Sequence, residues 1–376
     1  MVYNFKKVVI LLNNNYIVIV DGLGIGKCDD SRSFKSLNAN TLNSLNNTKM
    51  LKIRNLKTFG IGNIKNVDCI DFEMFPTGVY GKAFSEIKNK NKCVLTQEFL
   101  GIDKSNLDYY NPVGSFSSEF MIFLNEINES LGMETILNKV SSVSNAIKTM
   151  NLKSQKNKSP ILFSTGKSDL ILAANTSYLD KNDVSKYFER LVEYLKKSKY
   201  NFAEYRLLLY KDSSVNKDKF VLLKGNRIIN QNSYTSDLAS FIGNDFSKYL
   251  ITPSKIYKTQ NDAETFSTVT NIQKNETISN SNIFINFNGL YQFLIKGNIP
   301  SAVVAINNID IYIGEIAKRL DETDSILIVS NCGCDFNCLS RTTTRESVPF
   351  VYYKNGIQSR NLGKLPLSKV LSEIYN

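Results

Sequence analysis

The sequence YIVIVDGLGIG, residues 16–26, opens with an apolar run and ends in glycine-rich chain, with Asp21 at the junction. An unbroken apolar run rich in β-branched residues is typical of a strand buried on both faces of a parallel sheet. Open α/β sheets bind their ligands at the carboxyl ends of such strands. We therefore expect Asp21 to lie at a ligand-binding edge. The glycine spacing differs from the dinucleotide fingerprint and does not predict such a cofactor.

Further apolar runs predict more strands of the same sheet: SNIFINF at 281–287, SILIV at 325–329 and residues 348–352, with a helix predicted at 301–320. Residues 107–219 differ, because helical and strand patterns mix there, including a strongly amphipathic helix at 184–200. This order predicts an α/β fold with a mainly parallel central sheet flanked by helices. Residues 1–106 and 220–376 form its core domain, and residues 107–219 form an inserted α+β cap domain.

The composition favours a globular cytoplasmic protein. The 376 residues carry a net charge of +11, but no block of five basic residues occurs, so we expect no nucleic-acid partner. No run of about twenty apolar residues is present, so no membrane span is expected. The cysteines of a large chain without a secretory pattern are expected to be reduced. Histidine is absent, which removes the usual general base near neutral pH and the commonest metal ligand.

An ordered series of short motifs, spread over essentially the whole chain, resembles the phosphopentomutase family of the alkaline phosphatase superfamily. The motifs are YIVIVDGLGIG (16–26), ANTLNSL (39–45), NLKTFGIGNI (55–64), YGKA (80–83), EFLGI (98–102) and TRESVP (344–349). The resemblance implies an alkaline-phosphatase-like core with a cap domain. That family moves phosphate between the 1- and 5-positions of ribose or deoxyribose, through a phosphothreonine and with two manganese ions.

The nucleophile of that family has no counterpart in this chain. Counting back from Glu98 places Val94 at the position of the family's nucleophilic threonine. Valine has no nucleophilic atom, so the resemblance implies that no covalent phosphoenzyme forms at this position. Thr96 falls at the place of a family histidine, and we expect its side chain to point away from the site.

The metal-binding positions have also changed. Asp21 is the one matched position that keeps a metal ligand of the family. The other matched positions hold Tyr291, Lys296, Asn331, Cys332 and Thr343. Manganese needs several carboxylate or imidazole ligands held together, so we predict that no metal cofactor binds. We hypothesise that the Lys296 ammonium occupies part of the former metal site and pairs with Asp21.

The cysteines offer a second metal-site hypothesis. Thiolates from loops near the former site could converge on one ion, although their spacing is not a standard zinc pattern. The favoured alternative is that they are small buried or idle thiols. The cysteines concerned are Cys28, Cys93, Cys332, Cys334 and Cys338.

Residues of the cap region match the substrate contacts of the family. Arg206 matches an arginine that contacts phosphate, Lys167 replaces a ribose-binding aspartate, and Ser168 persists. These residues define a candidate anion-binding site that would take a sugar phosphate. The favoured alternative is that Arg206 lies on a strand and forms a surface salt bridge.

A folded chain without its reaction centre favours a pseudoenzyme. We predict a non-catalytic, phosphopentomutase-like protein that acts as a protein-binding scaffold or structural subunit of a larger cytoplasmic complex. Two alternatives remain open. One is an active enzyme with an altered site, which interconverts ribose 1-phosphate and ribose 5-phosphate through Cys93 or Thr96. The other is a sensor that binds a sugar phosphate without turnover.

Overall fold

The computed structural model describes residues 14–101, 109–112, 114–137, 159–165, 168–212, 220–222, 227–229, 254–257, 261–274, 282–338 and 342–375. The chain divides into two compact units, one made of Met1–Asp103 and Tyr234–Asn376 and the other of Lys104–Ser233. The sequence prediction puts the corresponding boundaries at 106/107 and 219/220. Lys167, one of the predicted anion-binding residues, lies outside the described residues.

The strands are numbered along the chain. They are β1 (Asn15–Val20), β2 (Val79–Phe84), β3 (Ile136–Leu137), β4 (Ile161–Phe163), β5 (Asp169–Asn175), β6 (Glu204–Asp212), β7 (Phe220–Leu222), β8 (Arg227–Ile229), β9 (Ser254–Tyr257), β10 (Asn282–Phe287), β11 (Ser325–Ser330), β12 (Val348–Lys354) and β13 (Arg360–Pro366).

The helices are numbered in the same way. They are α1 (Thr41–Asn46), α2 (Arg54–Thr58), α3 (Lys92–Phe99), α4 (Ser118–Leu131), α5 (Lys181–Lys196), α6 (Asp262–Lys274), α7 (Gly289–Ile295), α8 (Ile299–Ala317) and α9 (Val370–Tyr375). No helix among the described residues is both long and apolar enough to cross a bilayer.

The first unit is built on a seven-stranded sheet in the order β13-β2-β12-β11-β1-β10-β9. β1 runs parallel to β10 and β11, β9 parallel to β10, and β13 parallel to β2, whereas β12 is antiparallel to both of its neighbours. Every residue of β1, β10 and β11 is buried, which is why their sequences are unbroken apolar runs. The predicted α/β fold with a mainly parallel central sheet flanked by helices is confirmed.

The register of the central strands positions the candidate site. Val20 at the end of β1 pairs with Phe287 of β10 and with Ser330 of β11. Because these strands are parallel, the residues that follow them lie side by side at the carboxyl edge of the sheet. The residues brought together in this way are Asp21, Asn288 and Asn331.

Helix α8 shows how the sequence sets the ends of an element. The side chain of Asn298 accepts a hydrogen bond from the Ser301 N–H at 3.2 Å, and a proline stands in the first turn. Its apolar face buries Ile309 and Ile313 completely, as the sequence predicts. The helix ends at Ala317, before the predicted end at residue 320.

The second unit has a sheet of its own, in the order β3-β4-β5-β6-β7, with β8 also paired to β6. Parallel and antiparallel pairs alternate along this sheet, as expected of an α+β region. Helix α5 begins after Asp180, whose side chain accepts hydrogen bonds from two backbone N–H groups of the first turn. It buries the predicted apolar face, which consists of Tyr187, Phe188, Leu191, Val192 and Leu195.

Candidate functional site

The Asp21 carboxylate is the centre of a buried polar cluster at the carboxyl edge of the first sheet. Its side chain is 2% exposed. Its Oδ1 atom accepts hydrogen bonds from Asn286 Nδ2 at 2.9 Å and from Asn331 Nδ2 at 2.8 Å. Two neutral amide groups therefore donate to one carboxylate oxygen. Of the two residues, only Asn331 was among the positions matched to metal ligands of the family.

Lys92 occupies the other side of the same carboxylate. It is the first residue of α3, and its Nζ atom lies 2.6 Å from Asp21 Oδ2 and donates to Asn288 Oδ1 at 2.9 Å. The ammonium also lies 4.9 Å from the ring centroid of Tyr291, a distance at which a cation is attracted to the ring face. The group next to Asp21 is thus an ammonium supplied by the chain itself.

The predicted pair between Lys296 and Asp21 is wrong. Lys296 is exposed at the carboxyl end of α7, and Lys92 supplies the ammonium that pairs with Asp21. A lysine ammonium does pair with Asp21, but the hypothesis named the wrong residue. The sequence analysis did not consider Lys92, because Lys92 stands at none of the positions matched to the metal ligands of the family.

The segment after β10 contributes Asn288, rather than Tyr291, to the hydrogen bonds of the cluster. Tyr291 is 7% exposed, and its hydroxyl bonds to Thr343 Oγ1 at 3.1 Å. A ligand pair with the family's five-residue spacing that starts at Asn288 would end at Phe293. An amide and a hydrocarbon stand at those two positions, so this alternative register adds neither a carboxylate nor an imidazole.

Asp262 fixes the chain around Asn288. It is the first residue of α6, and its carboxylate accepts hydrogen bonds from the N–H groups of Asn288 at 2.9 Å and Gly289 at 3.0 Å. A Cβ atom at Gly289 would collide with this carboxylate, so glycine permits the close approach. Burial raises the pKa of Asp262, and the negative charge of Asp21 adds to that rise. The Asp262 carboxylate therefore holds the backbone of Asn288 and Gly289 in place.

The predicted nucleophile position is filled by a hydrocarbon. Val94 lies on α3 and is completely buried. Thr96 does not point away from the site, contrary to our expectation, because its Oγ1 atom accepts a hydrogen bond from Asn331 Nδ2 at 2.9 Å. Its own proton is donated to the Lys92 carbonyl at 2.9 Å. A hydroxyl donating to a backbone carbonyl has no base to activate it.

A buried glutamate joins the loops that surround this cluster. The Glu346 carboxylate accepts hydrogen bonds from the Thr41 N–H and the Thr41 hydroxyl, both at 2.8 Å, and from the Thr344 hydroxyl. Gly24 and Gly333 flank it so closely that a Cβ atom at either position would overlap the carboxylate. The TRESVP motif therefore helps to build the scaffold of the site.

The described cysteines are not arranged as a metal site. Cys28, Cys332 and Cys334 are buried, and no three His, Cys, Asp or Glu side chains in the described part of the chain are grouped to hold an ion. Burial raises the pKa of the Cys28 thiol to about 11 and that of Cys332 well above its usual range. The side chain of Cys93 lies outside the described residues.

In the second unit, Arg206 forms a salt bridge, as the sequence analysis favoured, but its partner is buried and the pair is not a surface pair. Its guanidinium lies 2.5 Å from Asp169 Oδ2, and the Asp169 side chain is 1% exposed. Asp169 also accepts hydrogen bonds from the Ser164 hydroxyl and the Thr165 N–H. Ser168 is fully buried, with a positive φ of 53°. Whether an anion binds here stays a prediction.

The cluster does not fit the manganese pair that the family resemblance implies. One oxygen of Asp21 is held by two amide groups and the other by an ammonium. The remaining matched positions present Tyr291, Asn331, Cys332 and Thr343, and Lys296 is turned to solvent. Divalent manganese prefers several carboxylate, carbonyl or imidazole ligands around one open centre. A positive charge fixed at 2.6 Å from the retained carboxylate opposes a second cation there.

Comparison with known proteins supports the resemblance. A family model described as Metalloenzyme superfamily matches residues 13–375. The phosphopentomutase of Desulfitobacterium hafniense is 23% identical over 364 residues, covering 92% of this chain and 90% of that protein. That of Caldanaerobacter subterraneus subsp. tengcongensis is 23% identical over 388 residues, covering 97% and 95%. The alkaline phosphatase from the Antarctic bacterium TAB5 aligns over 97% of both chains at 13% identity with a TM-score of 0.34. The resemblance to phosphopentomutases is confirmed, and the chain belongs to the Metalloenzyme superfamily.

Proposed function

We propose that this chain is a non-catalytic, phosphopentomutase-like protein that binds other proteins as a subunit of a cytoplasmic assembly. The observation that carries the proposal is the state of the Asp21 carboxylate. Lys92, Asn286 and Asn331 occupy it from both sides, where a catalytic centre would need it open to a metal ion.

Each chemical requirement of phosphoryl transfer through an enzyme intermediate is unmet at the matched positions. A covalent intermediate needs a nucleophile beside a base, and Val94 offers no reactive atom. The hydroxyl of Thr96, which accepts a hydrogen bond from Asn331, donates its proton to a carbonyl. Electrostatic stabilisation of the transferred group needs cations aimed at it, and the Lys92 ammonium is already paired with a carboxylate.

A loop between α2 and β2 supports the protein-binding part of the proposal. Phe72, Met74 and Phe75 are 72%, 73% and 78% exposed. Single exposed apolar residues are ordinary, but three large ones within four residues form a patch of the kind that marks protein–protein contacts. Aromatic residues and methionine are enriched at the centres of such interfaces.

The same loop is held firmly by the chain beneath it. Asn63 Oδ1 accepts a hydrogen bond from the Glu73 N–H at 2.8 Å, and Asn63 Nδ2 donates to the Glu73 carbonyl at 2.8 Å. Thr77 N–H donates to the Thr58 carbonyl at 2.9 Å. A loop that is fixed before binding loses little conformational entropy on binding. The three apolar side chains are therefore presented in advance of any contact.

The charges on this loop indicate the chemistry of its partner. Residues 67–77 contain Asp68, Asp71 and Glu73 and no basic residue, in a chain whose net charge is +11. Asp71 pairs with Lys57 at 3.2 Å, so Asp68 and Glu73 give the loop its acidic character. We propose that the partner offers an apolar cleft rimmed by lysine or arginine, because complementary charge favours encounter and fixes orientation.

The proposal is tested by two measurements on the purified chain. The first is conversion of ribose 1-phosphate to ribose 5-phosphate with manganese, with the Desulfitobacterium hafniense phosphopentomutase as positive control. We expect no conversion above the protein-free background. Conversion that is lost in the variant Cys93→Ala or in Thr96→Ala would instead establish an altered enzyme. A rise in melting temperature with ribose 1-phosphate alone would establish a sensor, because a ligand of the native state stabilises it.

The second measurement tests the binding loop. Proteins retained by the wild-type chain from a lysate of its own cells are compared with those retained by the double variant Phe72→Ser/Phe75→Ser. The matched control is Val304→Ser/Ile311→Ser, which removes two other apolar side chains that are each 54% exposed. We expect the loop variant to lose a protein that the control keeps. Equal retention by all three chains would refute the loop as the contact.

A further inference from the structure

We infer that the Lys92 ammonium is a built-in cation that takes the structural place of the family's metal ions, so that the fold needs no divalent cation. The inference concerns what holds the cluster together and is independent of the proposed binding role. The chain could bind a partner with or without this device, and the experiments below do not measure binding to a partner.

The negative charge of Asp21 is balanced by the positive charge of Lys92, without an ion from solution. Asp21 brings one negative charge whose side chain is 2% exposed, and Lys92 brings one positive charge whose side chain is 18% exposed. A buried charge without a partner is strongly unfavourable. The retained carboxylate therefore requires a cation beside it, whether or not chemistry takes place. Lys92 meets this requirement at 2.6 Å.

The surroundings of the ammonium are those of a cation site. Asp21 Oδ2 and Asn288 Oδ1 accept its hydrogen bonds, and the ring of Tyr291 lies 4.9 Å from it. A carboxylate, an amide oxygen and an aromatic face are all electron-rich groups that attract positive charge. The ammonium belongs to Lys92, the first residue of α3. Placing it beside Asp21 therefore costs no translational entropy, unlike the binding of a free ion.

The same arrangement excludes a dissolved metal ion. Asp21 Oδ1 already accepts two amide hydrogen bonds, and the nearby carboxylate of Asp262 accepts backbone N–H groups of Asn288 and Gly289. A divalent ion could bind Asp21 only by pushing the ammonium away from the carboxylate. The two positive charges would still lie close together in a buried site, where like charges repel strongly. The former metal site is therefore closed by its own side chain.

The first test is the response of the melting temperature to metal. We expect the wild-type chain to melt at the same temperature in excess EDTA and in millimolar manganese, within about 1 °C, because an ion stabilises a protein only by binding its native state. The Desulfitobacterium hafniense phosphopentomutase is measured beside it to verify the conditions. A concentration-dependent rise with manganese, or a fall with EDTA, would overturn the inference.

The second test removes the ammonium. The variant Lys92→Met keeps the length of the side chain and should lower the melting temperature by about 5 °C or more, because it leaves Asp21 buried and unpaired. The matched control is Lys296→Met, at the exposed lysine after α7, which should change it by about 1 °C or less. Equal effects at the two lysines would show that Lys92 is an ordinary surface residue.

The double variant Asp21→Asn/Lys92→Met separates pairing from simple damage. Removing both charges should recover part of the stability lost in Lys92→Met, because no charge is then left unpaired. Losses that simply add would contradict a paired cation. Should Lys92→Met give no folded protein, the double variant decides the matter, since it must fold if the unpaired charge is the cause. Failure of both to fold would overturn the inference.

Discussion

Glu346 is a single side chain through which several loops of the candidate site are connected. Its carboxylate takes hydrogen bonds from Thr41 on α1, from Thr344 in its own motif and from the Gly26 N–H at 3.3 Å. It is 5% exposed, so water does not satisfy it. A buried acceptor with this many donors makes the loops one unit, because losing it would leave all of the donors unsatisfied.

We expect Glu346 to make stability depend on pH in a defined direction. Burial raises the pKa of Glu346 above its ordinary value of 4.5. The folded chain then binds this proton more tightly than the unfolded chain, so the stability it contributes is fully present below pH 4.5 and is lost as the pH rises through the folded pKa. Glu346→Gln cannot titrate and should show a smaller fall in unfolding free energy between about pH 4 and about pH 8.

The control for this prediction is Glu315→Gln. Glu315 is partly exposed, and its pKa is lowered by its hydrogen bond to Lys318. Its contribution therefore has the opposite sign and is expected to be small, because solvent weakens ion pairs at the surface. Urea unfolding of the three chains across the pH range makes the comparison. A Glu346→Gln chain whose pH slope equals that of the wild type would contradict the assignment.

Single residues of the site were predictable to different degrees. Asp21 was predictable, because it directly follows an apolar strand whose carboxyl end lies at the ligand-binding edge. Asn288 carries the same signal after SNIFINF, and the motif alignment passed over it. Lys92 gave no such signal, since it shares the segment KNKNK with Lys88 and Lys90. Only the start of α3 at Lys92 turns that one side chain towards Asp21.

The junction between α2 and α8 shows how one helix fixes another in this fold. Asp310 on α8 is buried, and its carboxylate accepts hydrogen bonds from the N–H groups of Asn55 at 3.0 Å and Leu56 at 2.8 Å in the first turn of α2. A helix of five residues is too short to be stable alone. The NLKTFGIGNI segment therefore depends on a cap supplied from a distant part of the chain.

We expect Asp310→Ala to lower the unfolding free energy by about 2–3 kcal/mol, because it leaves buried N–H groups of α2 without acceptors. The control is Asn308→Ala, at an exposed position on the same helix, which should change it by about 0.5 kcal/mol or less. Chemical denaturation of the two variants measures the difference. Equal losses would mean that the cap contributes nothing beyond the helix propensity of the new alanine.

The elements themselves were largely predictable, because the periods of their apolar residues are strong. The strands that hold the site appeared as unbroken apolar runs, and α5 appeared with the face that it buries. Helix ends were less accurate, as at α8, because local capping sets them. Helix α2 has only five residues, which are too few to show an apolar period. Its position follows from the hydrogen bonds that Asp310 accepts from its first turn.

Each of the two compact units has a hydrophobic core of its own. The second unit is continuous in sequence, Lys104–Ser233, and its core is built on residues of α4, α5 and its sheet, including Phe120, Phe188 and Tyr205. A segment of this size with its own core has the properties of an independent domain. The first unit is interrupted in sequence, and its sheet is completed only by strands from both parts.

We therefore expect residues 104–233 to fold when produced alone. Circular dichroism should show a cooperative thermal transition. Leu191→Asp, which places a charge in a fully buried position on α5, should abolish it. Tyr194→Ala, at a position on the same helix that is 48% exposed, should leave the transition in place. A non-cooperative melt of the unaltered segment would show that this unit depends on the rest of the chain.

The pairing of Lys92 with Asp21 limits which single substitutions this sequence can accept during evolution. A single exchange of Lys92 for a neutral residue leaves a buried anion, and a single exchange of Asp21 leaves an ammonium without its main partner. Under the proposed role, a centre for phosphoryl transfer would also need a nucleophile in place of Val94 and further metal ligands. Exchanging either member of the pair alone is expected to lower the stability of the fold. The pair therefore opposes any stepwise change of the site that begins with one of its two members.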